Sequence, residues 1–567
     1  MDEFCSFVQT YSLSQGLKKW GERAKTSAIK EVKQLHDRVV FEPIDVASLT
    51  QRERELAMES LLFLVEKKDL SIKSRMVANG SIQRGKVPKS ESASPTTLSE
   101  SITMTGAIDA EERRDVMSSD IPNAFVQAFV PKKTNGERMV LKIRGILVDY
   151  LVQLDPHRYL PYVSKDENGK PILYLSILRA LYGMIQSSLL FYNRFRKDLE
   201  SIGFKVNPYD PCVANRMIEG SQHTVQWHVD DLKSSHKKAS VNDEFAKWLN
   251  DKYGDGEIGK VKCVRGKRHP YLGMVLDYTE PGKFKLDMTD YVKSMIKDFP
   301  QDLKPANYPW NDNLFKVDEN SPKLGKKDAA TFVTFAYKGL FVSKRGRQDV
   351  APAIAFLLTR VNAPTEQDWK KLLLLMRFLK KTQDDMPTYE MKGKMISIKW
   401  HLDAAFAVHA DMRSHTGATM TFGKGSLQSV STKQKINTRS STEAELVSND
   451  DIIAKVLWTR RFLEAQGYTV HENLIYRDNQ SSIKLEVNGR ASAGKRTRHF
   501  DIKYFFITDL INRNEVQIEY CPTDLMISDY MTKPLLGKKF HEFRKMIMNL
   551  PDKSVDSRAQ ECVGPQT

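Results

Sequence analysis

Along this chain apolar residues recur with two different periods, and each period predicts its own kind of element. Period two, the mark of a strand, runs through residues 61–69 and 71–78. These read as an antiparallel pair across a short turn, with Lys73 and Arg75 on one face of the second strand. Residues 224–229 form another apolar, β-prone run that ends in Asp230-Asp231, after which Lys233, Ser234, Ser235 and His236 break the pattern. A tight hairpin with the acid pair at its tip is predicted. Residues 395–402 alternate as a half-buried strand reaching Asp403, and 417–422 pairs naturally with it. Residues 474–479 read as a strand that meets Asp478, with a helix from Ser481. Helical spacing marks 18–35, 48–66, 242–253, 349–362 and 366–382, the last with 372–375 as its buried side. From Ile185 a helical stripe passes through Leu189, Tyr192, Phe195 and Leu199 and stops at Gly203. Ser440 and Glu443 suit a capping box opening a further helix that ends at Gly467, with Glu445, Asn449, Ile452 and Val456 facing inward. Residues 81–100, rich in Ser, Lys, Pro and Thr, read as a loop. Residues 282–350, with Pro300, Pro305, Pro309, Pro322, Gly325 and many lysines, read as a boundary and connecting region.

Composition narrows the class. The 567 residues are 41% hydrophobic, enough for three or more domains with real cores. A net charge of +16 points to a polyanionic partner, because cationic side chains release counterions condensed on phosphates. The five cysteines, Cys5, Cys212, Cys263, Cys521 and Cys562, are odd in number and lack a Cys-x-x-Cys spacing. That argues against a disulfide scaffold or zinc ribbon and for a reducing, intracellular compartment. Residues 1–15 lack the basic and apolar regions of a secretory leader. The longest apolar run, 372–376, is interrupted by Arg377, so no membrane span or membrane partner is expected.

The candidate chemistry is carried by two sets of carboxylates. In the first, Pro122 places Asp120 at the end of a strand. Asp120 on one element, with Asp230 and Asp231 on another, could clamp two ions roughly 3.5–4 Å apart, the spacing that supports in-line phosphoryl transfer. The second set is Asp403, Glu445, Asp478 and Asp529, on a strand, a helix, a strand end and a terminal helix. Glu443 and Glu445 point about 200° apart around their helix, so Glu443 is the cap and Glu445 the catalytic candidate. Oxygen donors without sulphur favour Mg²⁺, or Mn²⁺ in its place, as cofactor.

Read in order, several strings resemble the reverse transcriptase of copia-type long-terminal-repeat retrotransposons. They are Arg75-Met76-Val77-Ala78, Asp120 to Ala124-Phe125, Leu181-Tyr182-Gly183-Met184-Ile185-Gln186, and Val229-Asp230-Asp231. Ser440-Ser441-Thr442-Glu443-Ala444-Glu445, Arg477-Asp478-Asn479-Gln480 and Asp529 to Thr532-Lys533-Pro534-Leu535 resemble the ribonuclease H of the same elements. The resemblance covers roughly residues 30–545. It implies an α+β right-hand polymerase (fingers, palm, thumb and connection) followed by an α/β ribonuclease H-like domain. The expected division is an unassigned segment at 1–30, polymerase fingers, palm and thumb at 31–290, connection at 291–394, ribonuclease H-like domain at 395–545, and a polar, disordered tail at 546–567.

The activity implied is RNA-directed DNA polymerisation, adding dNTPs to a DNA primer on an RNA template, with cleavage of RNA in RNA–DNA hybrids. All seven acids of the two sets become catalytic and metal-binding candidates. Lys73, Arg75, Phe125, Tyr182, Gly183 and Gln186 become nucleotide contacts, with Phe125 blocking the sugar 2′-hydroxyl and Gly183 letting backbone approach a substrate. Residues 269–274 resemble the segment that grips the primer. His228, standing where Tyr is usual, and His499 are auxiliary candidates, with a basic nucleic-acid contact at 495–498 as the other reading near His499. Ile185 replaces a usual Lys, and Val126-Gln127-Ala128 replaces Leu-x-Gly. The setting implied is a cytoplasmic virus-like particle or the nucleus. No upstream protease, integrase or capsid signature is present, so the chain reads as the C-terminal part of a longer polyprotein or a remnant of one. Two alternatives stand beside this reading: a decayed element that binds nucleic acid without polymerising, which predicts lost acids where none is lost, and a ribonuclease H beside an inactive polymerase.

Overall fold

The computed structural model describes residues 10–67, 69–131, 136–254, 259–393, 395–489 and 506–551. His499, the basic run 495–498, Cys5, Cys562 and the tail beyond 551 lie outside the described residues. The described residues build four sheets.

The first sheet carries the strands Met58–Glu66 and Ile72–Ala78, antiparallel with Leu61 opposite Val77 as the alternation predicts. The expected helix at 48–66 is corrected: a Thr50–Glu53 capping box opens only Gln51–Leu56, and the chain is a strand from Met58. The apolar run there alternates, burying Leu62 and Leu64, so sheet burial overrides helical spacing. The helix Glu22–Asp37 lays Ala24, Ala28, Val32 and Leu35 into the same core. It runs through residue 30 without a break, so the division expected there falls inside a helix.

The second sheet, all antiparallel, has the order Lys262–Arg265, Asp115–Asp120, Asp231–His236, Ser221–His228, Asp210–Ile218, Lys205–Asn207. The polar residues that seemed to end the hairpin are its buried return strand: Lys233, Ser234, Ser235 and His236 are all buried. The Lys233 ammonium lies 2.6 Å from Asp109 Oδ2 and donates to Thr105, and Ser235 donates to Asp109. Asp109 and Thr105 belong to the helix Ser99–Glu111, which the sequence did not predict. It is buried on every side from Ser101 to Ala110 and so has no amphipathic stripe.

The third sheet joins Arg268–Tyr271, Met274–Asp277, Phe284–Asp287, Thr388–Met391 and Gly423–Lys424. Beside it stand the helices Lys326–Arg345, Ala351–Leu358 and Glu366–Lys381. The first, 20 residues long between Gly325 and Gly346, occupies what the lysines made look like linker. In the last, the buried apolar positions are Leu372, Leu375, Met376, Phe378 and Leu379, so Leu373 and Leu374 of the leucine run are left off the buried face.

The fourth sheet has the order Gln428–Lys433, His415–Thr421, Ile396–Ala405, Val470–Arg477, Gln517–Tyr520. The first three strands pair antiparallel and the last two add in parallel. The 25-residue helix Ser441–Ala465 packs on it, with Glu445, Asn449, Ile452 and Val456 buried as expected. The Ser440 hydroxyl caps Glu443 N–H, while the Glu443 carboxylate reaches back to Arg439 N–H, one residue further than a capping box. The first three sheets with their helices are an α+β arrangement, and the fourth with its helices is an α/β one. Trp458 and Phe462 of the long helix bond to Tyr209 and Asn207, and Tyr468 accepts from Arg114, fixing it to the second sheet. Among the described residues no helix is long and apolar enough to cross a membrane.

Candidate active sites

The first site sits where two strands of the second sheet end together. Asp120 is the last residue of its strand and lies directly opposite Asp231 in register. Asp231 in turn faces His228 across the two-residue turn Val229-Asp230. Val229 has φ 57°, a left-handed conformation that costs a β-branched residue free energy. The Asp230 carbonyl accepts from Ile121 N–H at 3.1 Å, tying the turn to the residue after Asp120. Three carboxylates thus converge, Asp120 exposed and the other two half-buried. Burial raises the Asp230 carboxyl, with the Asp120 charge adding to it. Burial, then Asp230 and Asp120, pushes Asp231 up to about 6. Mutual repulsion of this kind is what a bound cation relieves.

Beside these acids stands a stack of side chains from three separate segments. The Arg75 guanidinium lies 4.2 Å from the Tyr182 ring centroid, and the Phe125 ring is 4.6 Å from Tyr182. The Tyr182 hydroxyl is pushed up to about 12, chiefly by burial, and it feels Arg75, Asp230 and Asp120. Lys73 and Arg75 both act on Glu31, whose carboxyl burial raises and which accepts from Met76 N–H. Nothing in the sequence singled out Glu31, one of three acids on its helix. Gln186 precedes the helix Ser187–Ser201, and its Oε1 is buried with no partner among the described residues. Gly183 has φ 88°, and a Cβ there would lie 2.1 Å from the Ala78 carbonyl. Its close approach is to the Ile72–Ala78 strand, where Ala78 N–H donates to the Tyr182 carbonyl at 2.8 Å. The His228 ring has its pKa lowered by burial and then by Arg345, and its Nδ1 has no partner among the described residues. The His269 ring holds Ser118 and the Gly266 carbonyl, anchoring the hairpin at 268–277 to the Asp120 strand.

The second site lies on the fourth sheet. Asp403 comes from its central strand, Glu445 from the first turns of the long helix and Asp478 from just past the strand Val470–Arg477. One carboxylate oxygen of each lies within 4.8 Å of the others. Arg477, fully buried, donates to Glu445 Oε2 at 2.7 Å and to the Glu445 carbonyl at 2.8 Å, and its Nη2 is 3.4 Å from Glu486 Oε1. Burial still pushes Glu445 up to about 8 against that cation, with Asp403 and Asp478 adding to it. Asp529 opens the short helix Asp529–Thr532 and is joined to Asp403 through Lys533. The Lys533 ammonium lies 2.6 Å from Asp529 Oδ1 and 3.5 Å from Asp403 Oδ2. Thr532 donates to Asp403 Oδ2, and Lys539 lies 3.3 Å from Asp529 Oδ2. The structure thus groups three of the four expected acids directly and the fourth through a lysine. Arg477 and Lys533 lie inside the strings that carried the resemblance, yet their role as counter-ions shows only once the fold brings their partners in. Among the described residues Asp403, Glu445 and Asp478 are the group whose oxygens lie close enough together to share an ion, and an oxygen-only set suits a hard divalent cation.

The second and fourth sheets thus each carry a candidate active site built from carboxylates. No family model matches the chain. Over 483 residues, 84% of its length, it is 23% identical to the retrovirus-related Pol polyprotein from transposon TNT 1-94 of Nicotiana tabacum. It is 24% identical over 488 residues to that from transposon RE2 of Arabidopsis thaliana, and 21% over 536 residues to the transposon Ty1-LR2 Gag-Pol polyprotein of Saccharomyces cerevisiae. These matches cover 84% and 90% of this chain. It is thus similar over most of its length to the Pol polyproteins of copia-type retrotransposons, as its motifs imply. The chain spans only about a third of the length of these curated relatives: 34%, 30% and 28%. Among solved structures, a foamy viral protease–reverse transcriptase in complex with double-stranded DNA aligns with 88% of this chain and 70% of its own, at 14% identity and a TM-score of 0.49.

Proposed function

We propose that this chain is the RNA-directed DNA polymerase of a copia-type retroelement, carrying its own ribonuclease H. The observation that supports it is the presence of two separate carboxylate clusters in one molecule. Asp120 and Asp231 face each other across one strand pair with Asp230 in the adjoining turn, and Asp403, Glu445 and Asp478 bring their oxygens together on the fourth sheet, with Asp529 held to Asp403 by Lys533. The polymerase takes residues up to 290, with the whole helix Glu22–Asp37 serving the fingers, the connection takes 291–394 and the nuclease 395–545. The ligands are an RNA template, a DNA primer, dNTPs and the hybrid they produce.

Asp120, Asp230 and Asp231 would hold Mg²⁺ at the primer end, and the four nuclease acids would hold it against the RNA strand. Bound there, the ions would acidify the attacking hydroxyl or water and neutralise charge on the reacting phosphate. Arg75 presents its guanidinium to the triphosphate while stacked on Tyr182, which fixes its plane. Phe125, braced against Tyr182, closes the space a 2′-hydroxyl needs. Gln186 offers its unpartnered oxygen to the incoming nucleotide.

Primer extension on an RNA template with Mg²⁺ and dNTPs, run beside Asp230→Asn, tests the reading. Extension by the first protein and not the second supports it. Failure of both in Mg²⁺ and in Mn²⁺, with tight hybrid binding by both, replaces it with a nucleic-acid-binding remnant.

A further inference from the structure

The nuclease centre is divided by its own cations, and the two are anchored very differently. Arg477 is fully buried, held by the Glu445 carboxylate and carbonyl and by Ser482, with Glu486 beside it. Withdrawing it would leave buried carboxylates unpaired. Lys533 is different. Its side chain is 39% exposed, it follows the four-residue helix Asp529–Thr532, and its ammonium rides on a flexible four-carbon stem. That ammonium stands between Asp529 Oδ1 and Asp403 Oδ2, the gap that separates Asp529 from the three-acid group. Lys539 lies against the other Asp529 oxygen, so the fourth acid is wrapped by amines. Within the three-acid group Lys533 reaches Asp403, at 3.5 Å, and Glu445 is held by Arg477.

Building on the ribonuclease H reading, we propose that Lys533 is a displaceable ammonium that fills the second cation position, between Asp403 and Asp529. A divalent ion entering the three-acid half meets carboxylate oxygens directly. A second ion must first expel Lys533 toward solvent. The two positions therefore load in order, and the nuclease needs a higher free ion concentration than its acid count alone would suggest.

The test uses the full chain with Asp120→Asn and Asp230→Asn, which silence the polymerase acids, titrated with Mn²⁺ by calorimetry. The expected result is one tight site and a second at least about tenfold weaker, with Lys533→Met tightening the second about tenfold and leaving the first unchanged. A second site unchanged or weakened by Lys533→Met overturns the proposal and makes the lysine a structural bridge. A readout independent of affinity is amine acylation followed by mass spectrometry in the Lys533-containing protein. Reactivity of Lys533 should rise severalfold on adding Mn²⁺, while exposed Lys538 stays constant. No rise in Lys533 reactivity at saturating Mn²⁺ also overturns the proposal. If neither protein binds Mn²⁺ at all, the ribonuclease H reading falls and this proposal falls with it.

Discussion

Asp120, Asp230 and Asp231 stand at a strand end and a hairpin tip, exposed or half-buried, whereas Asp403 and Glu445 are only 2% and 4% exposed and held by Arg477 and Lys533. Both sets present the same oxygen donors, but the chain stabilises them in different ways. The polymerase acids keep access to water, so their mutual repulsion is tolerable without an internal cation. Asp403, Glu445 and Asp529 are removed from water, with Asp478 half-buried beside them, and buried carboxylates are costly unless paired. The fold therefore supplies its own cations: one fixed in the core, and one on the surface that can be exchanged.

The contrast can be broken most severely at a polymerase acid. Asp120→Asn should lower primer extension by about a thousandfold or more, since it removes a charge the transition state needs, and should leave hybrid cleavage unchanged. Loss of both activities would mean the sites are not independent. Next in size is Lys233→Met, which strands the buried Asp109 carboxylate behind the hairpin. A loss of about 3 kcal/mol in denaturant unfolding is expected, whereas Lys533→Met at the more open lysine should cost well under half of that.

The two sites should also part company with pH. In the metal-free protein Glu445 is pushed up to about 8 and Asp231 to about 6, above the ordinary 4.5 and 3.8. Each acid holds its proton more tightly folded than unfolded. Its contribution is full below the unfolded value and is lost as pH rises through the folded one. Stability in chelator should thus fall between about pH 4 and 6 through both acids, and go on falling between 6 and 8 as Glu445 titrates. Calorimetry should show a loss of roughly 1–2 kcal/mol, a few degrees in Tm, across the upper window, restored by Mg²⁺ and smaller in Glu445→Gln. The smallest effect is expected at Phe125→Ala, which keeps the acids and removes the ring braced on Tyr182. The preference for dNTP over rNTP, measured as a ratio of kcat/KM values, should fall about tenfold.

Features set by local periodicity were legible in the sequence. The Asp230 turn, the strand pair over 61–78 and the inward stripe of Glu445, Asn449 and Ile452 all depend on residues close together in the chain. What escaped depends on partners far away. The helix Ser99–Glu111 is buried all round and has no stripe to read. Lys233 looked like a surface residue because its partner Asp109 lies on that unrecognised helix. The flanking lysines of Lys326–Arg345 resembled a linker, though its interior positions Phe332, Phe335, Ala336 and Gly339 are buried. Gly183 was read as room for a substrate, and the strand it approaches is formed a hundred residues earlier in the chain. Arg477 and Lys533 sit beside their acids in the motifs, but only the folded sheet shows which carboxylates they hold.

The most direct test of two independent catalytic centres is a crossed assay of the full chain with Asp230→Asn and Asp478→Asn. Primer extension and RNA cleavage are measured on the same RNA–DNA substrate in Mg²⁺. Asp230→Asn should lose extension and keep cleavage, and Asp478→Asn should lose cleavage and keep extension. Loss of both activities in either variant, or retention of both, would contradict the assignment of one chemistry to each cluster.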